Sequence, residues 1–160
     1  MVNFYDKNRE IVMKLTDFAS DNEIETRLKF SANISYAIYT AKREVDDFKT
    51  YFTNFLNELK LLYDNKIEAA QYVPLEREIE IYFKQLELGH IIVTIKINHS
   101  VPDYVLCNSS LIIQYEIDQS FLPELIQEIE AVSQQSWWRS DIYKMSLSSR
   151  FRLVEKFTSH

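Results

Sequence analysis

The sequence predicts an α+β fold: an antiparallel meander sheet with two main amphipathic helices packed on one face. The predicted order is β-β(-β)-α-β-β-β-α, followed by a C-terminal tail. Three observations predict it. Several runs alternate apolar and polar residues, the period of a strand with one buried face. Two stretches switch to the three- and four-residue spacing of an amphipathic helix. Short polar segments suited to antiparallel neighbours separate the runs.

Taken in order, Ile11, Met13 and Leu15 alternate with Val12 and Lys14, which predicts a short strand. Asp17 to Glu23 is polar and predicts a turn. In "RLKFSANISYAIY", Leu28, Phe30, Ala32, Ile34, Tyr36 and Ile38 share one parity, and Lys29, Ser31, Asn33 and Ser35 the other. This is one long strand or two with a bend. From Val45 the period changes. Val45, Phe48, Phe52, Phe55, Leu56, Leu59 and Leu62 predict a helix of about five turns, and Asp46 and Asp47 complement the positive end of its dipole. "DNKIEAAQYVP" predicts a connection. In "LEREIEIYF", Leu75, Ile79, Ile81 and Phe83 point inward, and Glu76, Glu78 and Glu80 outward. "QLELGH" supplies a turn, where Gly89 takes positive φ at little cost. Ile91, Val93, Ile95 and Ile97 follow in phase, so a hairpin spans Glu78 to Asn98. A polar loop surrounds Pro102, and the next strand turns Leu111, Ile113, Tyr115 and Ile117 inward. Leu122, Leu125, Ile126, Ile129 and Val132 form the last helical stripe, with Ser120 as expected N-cap and Pro123 in the first turn. Residues 1–135 are expected to form a single α+β domain, with 136–160 a tail that docks on the domain or on a partner.

Composition excludes several function classes. The 160 residues contain one glycine, Gly89. Walker loops and dinucleotide fingerprints need several glycines so that backbone N–H groups can approach a phosphate. A nucleophile elbow is excluded for the same reason. Cys107 is the only cysteine, so no intrachain disulfide forms, which fits a reducing compartment. "MVNFYDKNRE" lacks the basic and apolar regions of a signal peptide. The apolar runs are far shorter than the ~20 residues of a membrane helix. A soluble cytoplasmic protein is expected, with no membrane contact. The net charge of −6 disfavours nonspecific nucleic-acid binding. Residues 136–160 carry five Lys or Arg and two acids, a net of +3; since −6 less +3 is −9, the remainder is strongly acidic.

No side-chain constellation suggests catalysis. Glu76, Glu78 and Glu80 share one strand parity, and Glu116 and Asp118 another. If the strands are neighbours, these carboxylates populate the sheet face opposite the core. Acid/base work there requires a raised pKa and a partly apolar cleft. Alternation predicts a solvated face instead, or a docking surface for a basic partner. His90, His99, Cys107 and His160 lack zinc-ligand spacing, so no metal is expected. His99, Ser100 and Asp103 are too close in sequence for triad geometry. Trp137, Trp138, Arg139 and Tyr143 cluster in the tail, and Trp and Arg are favoured interface anchors. They form either an intramolecular clasp over the core edge or a partner contact.

"LGHIIVTIKI", then a loop, then "SLIIQYEIDQSFLPELIQEIEAV" resembles the immunity proteins of the Wap toxin system, the WapI-like family. The matching residues are Gly89, His90, Ile91 and Val93, then Tyr115, Glu116, Asp118, Gln119, Ser120, Phe121, Leu122 and Pro123. The resemblance covers Ile11 to Val132. It implies a small, non-enzymatic cytosolic antitoxin that binds and occludes the toxic domain of a cognate secreted polymorphic toxin, without cofactor or metal. The acidic body adds that the toxin domain is basic. The residues expected to bind the partner are Glu76, Glu78, Glu80 and Glu116, with Trp137 and Trp138 as anchors. "DQSFLP" is expected to be structural, joining a strand to a helix, with Asp118 or Ser120 accepting N–H bonds at the helix start. A second reading is a structural or assembly protein that homo-oligomerises, for instance as a homodimer, through the aromatic tail. A third is a small hydrolase with a carboxylate pair.

Overall fold

The computed structural model describes residues 1–20, 26–99 and 109–135. Its α+β architecture distributes the strands over two antiparallel four-stranded sheets, where the sequence suggested one. The first sheet is a meander of β1 (Val2–Tyr5), β2 (Ile11–Ser20), β3 (Arg27–Tyr36) and β4 (Tyr39–Phe48). Helix α1 (Lys49–Tyr63) carries the chain to the second meander. This consists of β5 (Ala69–Tyr72), β6 (Ile79–Gln85), β7 (His90–His99) and β8 (Ser109–Asp118). Helix α2 (Leu122–Ser133) follows.

Several elements differ from expectation, each for a local reason. Strand β2 continues through Asp17 to Ser20, where a turn was expected, because a bulge with Asp17 at φ 56° shifts the register between Thr16 and Ala19 and conceals the alternation. The helix expected from Val45 begins at Lys49, because Val45 to Phe48 are the end of β4. Strand β4 pairs residue by residue with β3, from Arg27–Phe48 to Tyr36–Tyr39. Its five charged residues conceal the strand period. Val45 also lies seven residues before Phe52, a spacing that fits the helical stripe. Asp46 and Asp47 are therefore strand residues and do not serve the helix dipole. Strand β1 is short, and β5 lies in a stretch expected to be a connection, although Ala70 and Tyr72 alternate with exposed neighbours. The expected Glu78–Asn98 hairpin is present, with Ile79 opposite Ile97 and Gln85 opposite Ile91.

The inward-facing residues of both sheets form one core with the two helices. Aromatic rings join the layers. Phe4 lies 6.3 Å from Phe83, Phe30 lies 6.1 Å from Tyr72, and Tyr36 lies 5.9 Å from Tyr115. Phe52 and Phe55 of α1 reach the same cluster from the helix. Helix α2 buries Leu122, Leu125, Ile126, Ile129 and Val132, the expected stripe. Its acids bind it to the rest of the fold. Glu128 accepts hydrogen bonds from the backbone and side-chain N–H groups of Asn3, at 2.5 and 2.8 Å. Glu130 pairs with Lys60 of α1 at 2.6 Å, and Glu124 with Arg9 at 2.7 Å.

The expected strand-to-helix role of "DQSFLP" is borne out. Of the two expected acceptors it is Asp118 that takes the cap bond, from the Ser120 backbone N–H at 2.8 Å, at the start of a 3-10 turn. This turn, Gln119–Phe121, then leads into α2, with Pro123 in its first turn. Gln119 donates to the Tyr63 carbonyl at the end of α1, 2.7 Å away.

The β6–β7 turn places Leu88 at φ 60° and Gly89 at φ 79°. Leu88 is 92% exposed, so its side chain gains no burial for adopting a conformation that crowds a Cβ. Leu88→Asn is therefore expected to raise stability by about 0.5–1 kcal/mol in urea unfolding, because Asn tolerates this region. An unchanged midpoint would contradict this reading of the turn.

Candidate functional site

The outer face of the second sheet carries the residues that alternation turns away from the core. Moving outward from β5, these are Gln71, then Glu80, Tyr82 and Lys84, then Ile92, Thr94 and Lys96, then Ile112, Gln114 and Glu116. An open groove of about 770 Å³ runs between this face and the exposed side of α1. Leu61, Ile67, Ala69, Tyr82 and Ile92 make it largely apolar, and Glu58, Glu68, Lys84, Thr94 and Gln114 supply polar groups. It abuts a second groove of about 500 Å³, which shares Glu58, Gln71 and Tyr82 and is lined further by Tyr51, Leu75 and Arg77. Glu58 accepts the Gln71 backbone N–H at 2.8 Å, which fixes α1 beside β5. Next to the groove, Ile112 is 60% exposed.

The four predicted carboxylates do not form one solvated row. Glu76 and Glu78 precede β6, whose first residue is Ile79, so strand parity does not govern them. Glu76 is exposed beside Arg77, which has a left-handed backbone (φ 56°). Glu78 is half-buried, and its Oε2 has no hydrogen-bond partner. Glu80 corrects the expectation of an open contact residue: it is 2% exposed. Its carboxylate accepts from Arg77 at 3.1 and 3.3 Å, from Asn98 at 3.0 Å and from the Tyr82 hydroxyl, and lies 3.5 Å from Lys96. A buried charge persists only when it is paired in this way. Glu116 is half-exposed on β8 and pairs with His90 at 2.5 Å. Trp137 and Trp138 lie outside the described residues, as does the rest of the 136–160 tail.

The electrostatics separate two kinds of acid. Burial opposes the charge of Glu80, but hydrogen bonds from Tyr82, Arg77 and Asn98 hold its pKa below the ordinary value. Burial instead pushes Glu78 up, and nearby Glu76 and Asp47 add to the shift. Asp47 is also raised by burial, although it accepts from the Tyr72 hydroxyl at 2.8 Å and the Leu75 N–H at 3.3 Å. Neither Asp47 nor Glu78 lines either groove, so their raised values are not accompanied by a substrate cleft. No group of three His, Cys, Asp or Glu among the described residues is placed to hold a metal. Within this set, no helix is long and apolar enough to cross a membrane. Ser100, Asp103 and Cys107 lie outside the described residues.

Glu78 yields a pH prediction. Its folded-state pKa exceeds the ordinary 4.5, so the folded protein binds its proton more tightly than the unfolded chain. Stability linked to this group therefore falls as pH rises through the folded pKa. Glu78→Gln is expected to stabilise the protein at pH 7 by up to about 1 kcal/mol after solvent screening. The gain should shrink as pH falls towards 4.5, which denaturant titrations across that range would measure. A gain that grew on acidification would refute the assignment.

The groove was not legible as a site in the sequence, because Leu61 and Ile67 belong to the edge of a helix and its connection. The only signal was an apolar residue outside the buried stripe: Leu61 on α1, and Ile92 and Ile112 at outward strand positions. Comparison with known proteins matches the model of the immunity protein WapI-like family over residues 27–135. Neither the curated proteins nor the solved structures contain a match. The family match spans more than half of the chain, and the chain belongs to the immunity protein WapI-like family.

Proposed function

We propose that this member of the WapI-like immunity family is a non-enzymatic cytosolic antitoxin that binds the toxic domain of a cognate secreted toxin and occludes it. The family match over residues 27–135 carries this reading. The outer face of the second sheet suits the task. Its groove offers apolar area next to α1, and protein interfaces combine an apolar centre with a polar rim. Glu58 and Glu68 in the groove, Glu76 near its neighbour and Glu116 on β8 face Lys84, Arg77 and Lys96, which leaves that rim a slight negative bias. A basic toxin surface would be drawn to it, which raises association rate more than affinity. Glu80 contributes by shaping the face and not by direct contact. Trp137 and Trp138 remain proposed anchors.

The test is co-expression of the full chain with the toxin domain encoded beside it, reading growth rescue and co-purification. Rescue and a stable complex are expected. Leu61→Arg and Glu68→Lys, with unchanged circular dichroism, should each weaken binding at least about tenfold, because they place a cation against a basic partner. Absence of both rescue and complex would remove the antitoxin reading. Rescue with full affinity in both variants would move the interface off this groove.

A further inference from the structure

We infer that the free edge of β8 pairs antiparallel with β8 of a second copy of this chain, about a two-fold axis through Ile112. The two sheets have four edge strands, β1, β4, β5 and β8. An unpaired edge invites another strand, and proteins protect such edges with charges, short strands or a covering element. Three edges are protected here. β1 has four residues, and its Asn3 N–H donates to Glu128 of α2. β5 also has four, and its Gln71 N–H donates to Glu58 of α1. β4 is long but carries Lys42, Arg43, Glu44, Asp46 and Asp47.

Over its first seven residues, Ser109 to Tyr115, the β8 edge has none of these defences; its charges, Glu116 and Asp118, lie at its end. It is ten residues long and pairs with β7 without a bulge, from His90–Asp118 to His99–Ser109. Its free edge carries no strand among the described residues. From Ser109 to Tyr115 it holds no charge and no proline. Ile112, in the middle of that run, is 60% exposed on the outer face.

The pattern selects the occupant. A parallel second copy in register would set Glu116 against Glu116, which is unfavourable. An antiparallel copy about Ile112 sets Ser109 against Tyr115, Ser110 against Gln114 and Leu111 against Ile113. Only uncharged residues meet over this run, and the two Ile112 side chains cover each other. The result is a continuous eight-stranded sheet with an isologous interface. This inference does not rest on the antitoxin reading, and either can fail without the other.

Sedimentation of the full chain at roughly 100 µM, far above a micromolar dissociation constant, should give twice the 19.1 kDa chain mass. Ile112→Lys should give the monomer with unchanged circular dichroism. In a Cys107→Ser background, Ile112→Cys should form a covalent dimer on mild oxidation. Ile38→Cys, at a position 87% exposed elsewhere, should not. A monomeric wild type, including one whose edge is covered by residues 136–160, would overturn the inference. So would a dimer that survives Ile112→Lys, or equal cross-linking at both cysteine positions.

Discussion

Phe52→Ala is expected to destabilise the protein by about 3–5 kcal/mol, the range for truncating a buried aromatic ring. Phe52 is fully buried on α1. Its ring lies 5.7 Å from Phe18 on β2, 5.9 Å from Phe30 on β3 and 5.8 Å from Tyr72 on β5. One side chain thus joins the helix to both sheets. Truncation removes the transfer energy of the ring and leaves a cavity, because neighbours held by two backbone ladders cannot all close in. Against a typical total of about 5–15 kcal/mol, this is a large fraction. Urea unfolding followed by circular dichroism should show a lower midpoint with a similar slope. A loss below about 1 kcal/mol would mean that Phe52 does not bridge the sheets. Leu61→Arg, on the outer side of the same helix, should leave stability nearly unchanged.

Much of this architecture was legible because burial imposes a period. Ile79, Ile81 and Phe83, then Ile91, Val93, Ile95 and Ile97, then Ile113, Tyr115 and Ile117 alternate as strands and are buried as strands. The α2 stripe was equally clear. What failed was the partition into sheets. A helix between two sets of strands can return the chain to the same sheet or to a facing one, and alternation is identical in both cases. The division depends on contacts such as Phe4–Phe83 and Phe30–Tyr72, between residues 79 and 42 positions apart in sequence. Strand β4 was hidden because an edge strand has few inward apolar residues, and Val45 is its only fully buried one.

The proposed interaction face was less legible than the fold. Strand parity distinguishes outward from inward positions, but it does not show whether an outward residue is covered by its neighbours. Glu80 is outward by parity and yet buried. Arg77 reaches it from the preceding turn, Tyr82 from the same strand, and Lys96 and Asn98 from β7. The pairing of Glu80 with Lys96 follows from the hairpin register. The contribution of Arg77 depends on its left-handed backbone, which no periodicity reveals. The acids of "PELIQEIE" show the same principle. Glu124, Glu128 and Glu130 each have a partner on another element, so much of the acidic character of α2 is spent within the fold.

Glu80→Gln is expected to cost about 1–3 kcal/mol at pH 7, because it leaves the donors around a buried acceptor with weaker bonds. The estimate lies below that for a fully buried pair, since Arg77 is mostly exposed and Lys96 partly so. The pH dependence identifies the cause. The folded-state pKa of Glu80 is held below the ordinary 4.5, so between the two values the unfolded chain binds more protons than the folded one. Its stabilisation is complete above 4.5 and is lost as pH falls through the folded pKa, the opposite sign to Glu78. The penalty of Glu80→Gln should therefore narrow on acidification, and so should the gain of Glu78→Gln, which has the opposite sign. Denaturant titrations of both variants at several pH values would measure this. A Glu80→Gln penalty independent of pH would show that the carboxylate acts only through its shape. A pH-dependent one would establish a charged hub beneath the outer face, orienting the Arg77 turn and the Lys96 and Tyr82 side chains that border the grooves. If the proposed antitoxin function holds, Glu80→Gln should then also weaken binding of the toxin domain through misplaced neighbours, although Glu80 is too buried to make much contact with a partner.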